Sequence, residues 1–263
     1  MKKKTNEAQR TINLLTQNAP FAIRESFTQL RTNLMYSFSG DNTCPTVGIT
    51  SVGESSGKST VIVNLAISFA GMNKKVLLID ADMRCPSVFR YFKVDPKHIG
   101  LSELISNIET DVVQRDVIPN LDLITSGHIP PNPSELLASE HLKSLLAEWK
   151  TKYDIIFFDL PPIALIADAL ILSKDLDGYL FSIRSGRNNH AKDIKLALES
   201  MEQVGAKVLG IVLDDYNIKG ADSRYNGKYG RYSRYSRYSR YSRYAASRRY
   251  EQSYNEQRNA EKK

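Results

Sequence analysis

A short serine- and glycine-rich stretch has the composition and spacing to hold phosphate groups. Residues 51–60 read Ser-Val-Gly-Glu-Ser-Ser-Gly-Lys-Ser-Thr, between an apolar β-branched run and a predicted helix. In this order of strand, loop and helix, backbone N–H groups and the positive end of the helix bind phosphate, which defines a P-loop. Lys58 would reach the β and γ oxygens, and Ser59 would bind Mg²⁺. The predicted nucleotide-binding residues are Gly53, Glu54, Ser55, Ser56, Gly57, Lys58, Ser59 and Thr60.

This stretch departs from the strict P-loop pattern at one position. The pattern has glycine five residues before Gly57, where this chain has Val52. The alternative interpretation is an ordinary turn before an amphipathic helix, because Gly-Lys-Ser alone is common. The strand before the stretch and the helix after it favour nucleotide binding.

Three aspartates are predicted at the ends of two apolar strands. One strand leads into Asp80-Ala-Asp82-Met-Arg84, and the other ends at Asp159. Carboxylates at the carboxyl ends of parallel strands face a ligand crevice, where they can hold Mg²⁺ or accept a proton from an attacking hydroxyl. Solvated strand ends are the alternative, but three such residues beside a P-loop favour a site.

Each acidic residue receives a predicted role. We expect Asp80 to be the base or to orient the hydroxyl, and Asp82 and Asp159 to support Mg²⁺ and its waters, although Asp80 and Asp82 could exchange roles. The predicted catalytic residues are Lys58, Asp80, Asp82, Arg84 and Asp159, and the predicted metal ligands are Ser59, Asp82 and Asp159.

Short β-branched runs alternate with helical patterns along most of the chain. This alternation predicts an α/β fold, a doubly wound and mostly parallel sheet with helices on both faces. Strands are predicted at 46–51, 75–80, 121–125, 154–159, 178–183 and 207–213, and helices at 22–37, 58–72, 133–152, 165–172 and 190–204. We expect a flexible or loosely docked lead over 1–20, a folded domain over 21–218 and a separate tail over 219–263.

The tail is predicted to be disordered and basic, because its tyrosines are separated mostly by Arg, Ser, Gly, Asn and Lys and no apolar face can form. It has 13 Lys and Arg and four Asp and Glu, a net charge of +9, so the rest of the chain is close to −2. Arrayed tyrosines suit phosphorylation, although arginine with aromatic rings also suits nucleic acid. The predicted phosphorylation sites are Tyr225, Tyr229, Tyr232, Tyr235, Tyr238, Tyr241, Tyr244, Tyr250 and Tyr254.

The composition of the remaining chain argues against several classes of protein. A nearly neutral body argues against a broad nucleic-acid surface. Two cysteines do not suggest a disulfide framework, and the start MKKKTNEAQR lacks the apolar region of a signal peptide. These features predict a cytosolic protein.

In combination, these motifs resemble those of the bacterial tyrosine kinases (BY-kinases) of capsule and exopolysaccharide synthesis, a family of P-loop NTPases. The resemblance lies in Gly-Lys-Ser-Thr at 57–60 (Walker A), Asp80-Ala-Asp82-Met-Arg84 (Walker A′), the apolar strand ending at Asp159 (Walker B), the segment from Gly127 to Leu137 and the tyrosine-rich terminus. It implies a fold related to the partition and septum-positioning ATPases. It also implies transfer of the γ-phosphoryl group of ATP to tyrosine with Mg²⁺, including autophosphorylation of the tail mainly between subunits.

The resemblance further implies partners. It implies a membrane adaptor whose cytoplasmic tail stimulates the kinase, a phosphotyrosine phosphatase, and a position at the inner face of the cell membrane through the adaptor. The family often forms a ring through Glu-x-x-Arg-x-x-Arg on the first helix; Glu25 and Arg31 are present here, but Thr28 replaces the first Arg, which predicts a weaker ring. Asp214 stands where the family usually has Asn, which would change base recognition if that side chain touches adenine.

Two other classes of function compete with a kinase. A positioning ATPase of the partition class could use the basic tail on DNA, but such ATPases have an additional lysine at the position of Gly53. A nucleotide-regulated protein with an RNA-binding tail fits the Arg-Tyr repeats but not the nearly neutral body. Nucleic acid is therefore not expected as a partner.

Overall fold

The computed structural model describes residues 14–16, 18–38, 44–95, 99–185 and 190–215. The predicted tail and its nine candidate tyrosines lie outside the described residues.

A seven-stranded sheet forms the centre of the described part of the chain. Its order is β3-β4-β2-β5-β1-β6-β7, and all neighbours are parallel except the β3–β4 pair. The strands are β1 Thr46–Ser51, β2 Val76–Asp80, β3 Gln114–Ile118, β4 Leu121–Ile124, β5 Ile155–Asp159, β6 Gly178–Arg184 and β7 Val208–Asp214. The predicted doubly wound, mostly parallel sheet is confirmed.

Helices cover both faces of this sheet. They are α1 Phe21–Ser37, α2 Lys58–Ala70, α3 Phe89–Phe92, α4 Leu101–Ile105, α5 Pro133–Leu137, α6 Glu140–Lys150, α7 Asp168–Ile171 and α8 Ala191–Gln203, with a short 3-10 helix at Leu172–Lys174. The first two helices pack on one face with Val76 and Leu78 of β2, whereas α4 to α8 pack on the other face with Leu77 and Ile79. Both faces of β2 are therefore buried, as its continuous apolar sequence requires.

The strand β3 was not predicted. It is an edge strand, it pairs antiparallel with β4, and it contains the exposed residues Arg115 and Asp116. The positive φ of 51° at Asp116 and a register shift interrupt the pairing. An edge strand exposed to solvent has little of the apolar pattern by which strands are recognised.

The helix predicted over 133–152 is two helices, and that prediction is wrong at residues 138–139. Ser139 has an extended backbone, and its hydroxyl accepts a hydrogen bond from the N–H of Leu142 at 3.2 Å, so it is the N-cap of α6. The short α3 and α4 were also not predicted. On α1, Leu34 is buried, whereas Ile23 is exposed.

The order of the strands creates a crevice at their carboxyl ends. β1 lies between β5 and β6. The connection from β1 to β2 runs towards one edge of the sheet, whereas the connection from β5 to β6 runs towards the opposite edge. Such a reversal opens a crevice outside the carboxyl ends of the strands. The register of β2 and β5 places Asp80 directly beside Asp159 at this edge.

Candidate active site

The P-loop has a backbone conformation that only glycine accommodates at one position. Gly57, immediately before α2, has a φ of +83°. A Cβ atom added there would lie 2.1 Å from Oδ2 of Asp214, the last residue of β7. The loop therefore needs both the left-handed backbone and the absent side chain of glycine.

Hydroxyl groups hold the carbonyl groups of the loop. Ser51 and Ser56 donate to the carbonyl of Gly53 at 2.8 Å and 2.7 Å, and Ser182 of β6 donates to the carbonyl of Ser56 at 2.7 Å. No backbone N–H group of residues 54–59 has a hydrogen-bond partner among the described residues. Successive N–H groups without partners at a helix N-terminus form a concavity suited to an anion.

Val52, which departs from the strict pattern, fits this loop. Its φ is not positive, its side chain packs against the buried core, and its carbonyl accepts a hydrogen bond from the N–H of Ala164 at 3.2 Å. The backbone at this position therefore does not require glycine.

A hydroxyl and a carboxylate meet at the start of α2. The hydroxyl of Ser59 donates to Oδ2 of Asp159 at 2.5 Å and accepts from the hydroxyl of Ser87 at 2.7 Å. The other oxygen of Asp159, Oδ1, is buried and has no hydrogen-bond partner among the described residues. Buried polar atoms in native structures are nearly always partnered, so an isolated carboxylate oxygen beside a serine hydroxyl fits a cation or its water.

The protein would supply few of the ligands to such a cation. Within the described part of the chain, no three Asp, Glu, His or Cys side chains gather into a ready-made metal cluster. Mg²⁺ commonly binds through one or two protein groups together with substrate phosphates and water. The pairing of Ser59 with Asp159 fits that pattern.

The two aspartates after β2 have different surroundings. Asp80 is fully buried, and its oxygens accept the N–H groups of Ser87, Val88 and Asp82 at 3.0, 2.9 and 3.3 Å. Oδ1 of Asp82 accepts the N–H of Cys85 at 3.0 Å, and the N–H of Arg84 also favours the charged form of this carboxylate. Asp80 therefore fixes the loop between β2 and α3, whereas Asp82 accepts fewer backbone hydrogen bonds and is slightly more accessible.

Burial raises the pKa values of all three acids. Burial raises the pKa of Asp159 to about 6, against the opposing effects of Lys58 and the hydroxyl of Ser59. Burial, followed by the charge of Asp159, raises the pKa of Asp80 well above its ordinary value, and burial also raises the pKa of Asp82. Three crowded carboxylates with one nearby lysine favour the binding of further positive charge.

Arg84 is held by two residues that the sequence analysis did not identify. Its Nε donates to Oδ2 of the buried Asp168 at 2.8 Å, and its Nη2 donates to the hydroxyl of Ser134 at 3.1 Å. Ser134 lies in the segment from Gly127 to Leu137 that resembles the family. The only signal for Asp168 is its position as a lone charge in an otherwise apolar stretch.

Comparison with known proteins identifies the family. A family model described as an AAA domain matches residues 48–177. Tyrosine-protein kinase YwqD of Bacillus subtilis (strain 168) is 39% identical over 206 residues, which cover 77% of this chain and 85% of YwqD. This chain belongs to the bacterial tyrosine-protein kinases. It is therefore a protein-tyrosine kinase, as the motifs predicted.

Solved structures agree with this identification. The kinase resembles the chimerical protein CapA2B2 with a TM-score of 0.69 and 36% identity, over 73% of this chain and 84% of that chain. It resembles the kinase domain of Escherichia coli tyrosine kinase ETK with a TM-score of 0.69 and 31% identity, over 81% of this chain and 87% of that chain.

A more distant structure confirms the relation to the septum-positioning ATPases at the level of the fold. The septum site-determining protein MinD of Pyrococcus horikoshii OT3, solved with Mg-ADP, has a TM-score of 0.56 and 21% identity, over 69% of the kinase and 73% of that chain. Within the ranges described above, the kinase has no helix that is both long and apolar enough to cross a membrane.

The residues predicted to form a ring lie on α1. Nη1 of Arg31 donates to the carbonyl and the hydroxyl of Ser68 on α2 at 2.7 Å and 3.0 Å. Thr28 donates to the carbonyl of Arg24 one turn earlier, and Glu25 is half-buried. In the kinase, Arg31 therefore makes contacts within its own chain.

Proposed function

We propose that the crevice at the carboxyl ends of β1, β2 and β5 transfers the γ-phosphoryl group of ATP to tyrosine hydroxyls, with Mg²⁺ as cofactor. The observation that supports this most directly is the isolated Oδ1 of Asp159, since it lies beside Ser59, Lys58 and a run of N–H groups without partners.

The P-loop residues bind and neutralise phosphate in this proposal. The N–H groups of residues 54–59 hold the phosphate oxygens, and the buried Lys58 offsets the charge of the transferred group. Mg²⁺ held by Ser59 and Asp159 would supply positive charge to the phosphate oxygens. Asp82 supports the waters of the cation or receives the proton of the acceptor.

The surroundings of the two aspartates favour one of the two role assignments left open by the sequence. Both oxygens of Asp80 accept backbone N–H groups, so Asp80 is suited to holding the loop. A base must lie within hydrogen-bond reach of the acceptor hydroxyl. We therefore assign the base to Asp82, which accepts fewer backbone hydrogen bonds and is slightly more accessible than Asp80.

The proposed acceptors are the tail tyrosines, phosphorylated mainly between subunits. The composition of the tail predicts a flexible chain, and a flexible chain of about 45 residues has a root-mean-square span on the order of 35–40 Å, which would suffice to reach a neighbouring crevice. We further propose a role in capsular or exopolysaccharide synthesis, with a membrane adaptor that stimulates the kinase at the inner face of the membrane and a phosphatase that resets it. The support is the family membership and the tyrosine-rich tail sequence.

Lys58→Met tests the catalytic assignment. The substitution keeps about the same side-chain volume and removes the charge, so we expect phosphotyrosine to be lost and the fold retained. Lys143→Met, on the exposed side of α6, is the matched control and should retain activity. The measurement is phosphotyrosine mapping by mass spectrometry after incubation with ATP and Mg²⁺. Wild-type phosphotyrosine in Lys58→Met would contradict the proposal.

The roles of the aspartates can be separated by their dependence on Mg²⁺. Asp159→Asn should raise the concentration of Mg²⁺ needed for activity, because it weakens a metal ligand. Asp82→Asn should lower kcat even at saturating Mg²⁺, because it removes the base. If excess Mg²⁺ restores Asp82→Asn fully, Asp82 is not the base.

A further inference from the structure

Arg84 and Asp168 form a two-point ion pair beside the crevice. Nε of Arg84 lies 2.8 Å from Oδ2 of Asp168, and Nη2 lies 3.4 Å from Oδ1. The Asp168 side chain is 2% exposed, whereas that of Arg84 is 40% exposed. A buried carboxylate therefore holds an arginine whose remaining surface is open to solvent.

Ser134 closes the arrangement into a ring of three side chains. Its hydroxyl donates to Oδ1 of Asp168 at 2.5 Å and accepts from Nη2 of Arg84 at 3.1 Å. The three residues come from separate segments, after β2, at the start of α5 and at the start of α7. Each of the three side chains is hydrogen-bonded to the other two, so the guanidinium is fixed in position and in rotation.

The backbone of Arg84 is fixed as well. The N–H of Cys85 donates to Oδ1 of Asp82 at 3.0 Å, which closes a tight turn with Arg84 inside it. The side-chain ring uses Nε and Nη2 of Arg84, and Nη1 has no hydrogen bond to any described residue. One edge of the guanidinium is therefore anchored, and its Nη1 donors remain available next to the proposed base.

We propose that Asp168 and Ser134 are positioning residues that fix the Arg84 guanidinium for phosphoryl transfer. A mobile arginine loses rotamer freedom when it contacts the reacting groups, whereas an anchored one has lost it beforehand. Asp168 and Ser134 act through Arg84 and do not touch ATP or the acceptor. This inference rests on the proposed catalytic role of Arg84 in the crevice.

Asp168→Asn tests the positioning role in the full-length kinase. We expect kcat for tyrosine phosphorylation to fall about 10- to 100-fold, because the pair that orients the guanidinium is weakened. The KM for ATP should change less than about threefold, because Asp168 does not contact the nucleotide. Asp122→Asn is the matched control, because Asp122 also accepts a side-chain hydrogen bond, from Tyr153 at 2.7 Å, and it should leave kcat unchanged.

A double-substitution cycle separates positioning from general structural support. If Asp168 acts through Arg84, Asp168→Asn should lower kcat no further in an Arg84→Ala background. An unchanged kcat for Asp168→Asn in the wild-type background would overturn the inference. So would an equal loss of kcat in both backgrounds, because Asp168 would then act independently of Arg84.

Two further variants keep the test decisive. If thermal unfolding shows that Asp168→Asn does not fold, Ser134→Ala decides, because it removes one contact to Arg84 and one to Asp168 without changing a charge. A loss of kcat of several-fold supports the inference, and wild-type kcat overturns it. Lys58→Met is assayed in parallel, because activity that survives in Lys58→Met contradicts the proposed catalytic site itself, separately from the role of Asp168.

Discussion

The buried carboxylates at the end of β2 and β5 are individually unfavourable for folding near neutral pH. Asp80 and Asp159 lie side by side and are almost inaccessible to solvent. Water no longer stabilises their charges there, and Lys58 compensates only in part. Under the proposed mechanism Asp159 holds a cation, so substitutions of Asp159 should be able to raise stability but not activity.

Asp159→Asn should stabilise the protein in a pH-dependent manner. The pKa of Asp159 is raised to about 6 in the folded state, above its unfolded value of about 3.9, so the native state binds more protons between these values. The charge of Asp159 therefore costs the wild type no stability below about pH 4. This cost grows as the pH rises from about 4 and is complete above about pH 6. The variant should gain about 3 kcal/mol above pH 7 and little at pH 4.

This prediction is measured by urea unfolding of metal-free protein between pH 4 and 8. Asp111→Asn, which changes an exposed carboxylate, is the control and should show no gain that grows with pH. A gain for Asp159→Asn that is equally large at pH 4 would show that burial of the charge is not its cause.

Gly57→Ala should abolish nucleotide binding while Gly210→Ala should not. The φ of +83° at Gly57 strains any other residue, and the added Cβ would overlap Asp214. An added Cβ at Gly210 meets no atom within 4 Å, and this glycine has no positive φ. Calorimetric titration with Mg-ADP should show a loss of affinity of at least about 100-fold for Gly57→Ala. Wild-type affinity would mean that the loop tolerates a Cβ.

The contact between α1 and α2 involves the carbonyl groups at the C-terminal end of α2. The last carbonyl groups of α2 need partners, and those of Ile67, Phe69 and Ala70 accept N–H groups of the following turn. The carbonyl of Ser68 instead accepts Nη1 of Arg31. A cation at a helix C-terminus is favourable, so Arg31 stabilises the packing of α1 on α2.

Arg31→Met should therefore destabilise the single chain by about 1–2 kcal/mol, because it removes a charged hydrogen-bond donor from a carbonyl that has few alternatives. For a domain of this size the melting temperature should fall by roughly 2–8 °C. Arg24→Met is the matched control on the same helix, since the side chain of Arg24, unlike Nη1 of Arg31, makes no hydrogen bond to any described residue, and it should have a smaller effect.

The same measurement at two protein concentrations separates the contacts within the chain from those between chains. Equal destabilisation at both concentrations agrees with the bond to Ser68. Destabilisation that appears only where light scattering detects oligomers would assign Arg31 to the contact between subunits that the family resemblance implies.

The whole molecule combines a nearly neutral body with a tail of charge +9. Each phosphotyrosine adds roughly −1.5 to −2, so about five or six modifications cancel the charge of the tail, and nine make it acidic. An unmodified basic tail is attracted to anionic lipid or to an acidic partner surface. Phosphorylation should reverse that attraction.

Heavy phosphorylation should therefore weaken binding to anionic vesicles and disassemble oligomers. The measurement is co-sedimentation with vesicles that contain anionic lipid, together with light scattering, before and after treatment with ATP and Mg²⁺. Lys58→Met treated in the same way is the control, because its tail should remain unmodified. Unchanged vesicle binding and assembly, with most tail tyrosines verified as phosphorylated, would rule out this switch.

The sequence alone determined the fold class and the P-loop site. The P-loop is a local pattern, a strand followed by Gly57-Lys58-Ser59 and a helix. Strands, helices and turns can be predicted from the spacing of apolar residues and from turn-forming residues that are neighbours in the sequence. Asp80 and Asp159 could be placed together because parallel strands bring their carboxyl ends to one edge. That argument needs the direction of the strands and not the identity of each contact.

The tertiary structure alone decided which distant side chains meet. Arg84 and Asp168 are 84 positions apart, and Arg31 and Ser68 are 37 positions apart. Burial can be inferred from composition, but the partner of a buried charge is set by how the loops pack after the sheet has formed. For the same reason the edge strand β3 was missed, because its pairing with β4 and not its own apolar content makes it a strand.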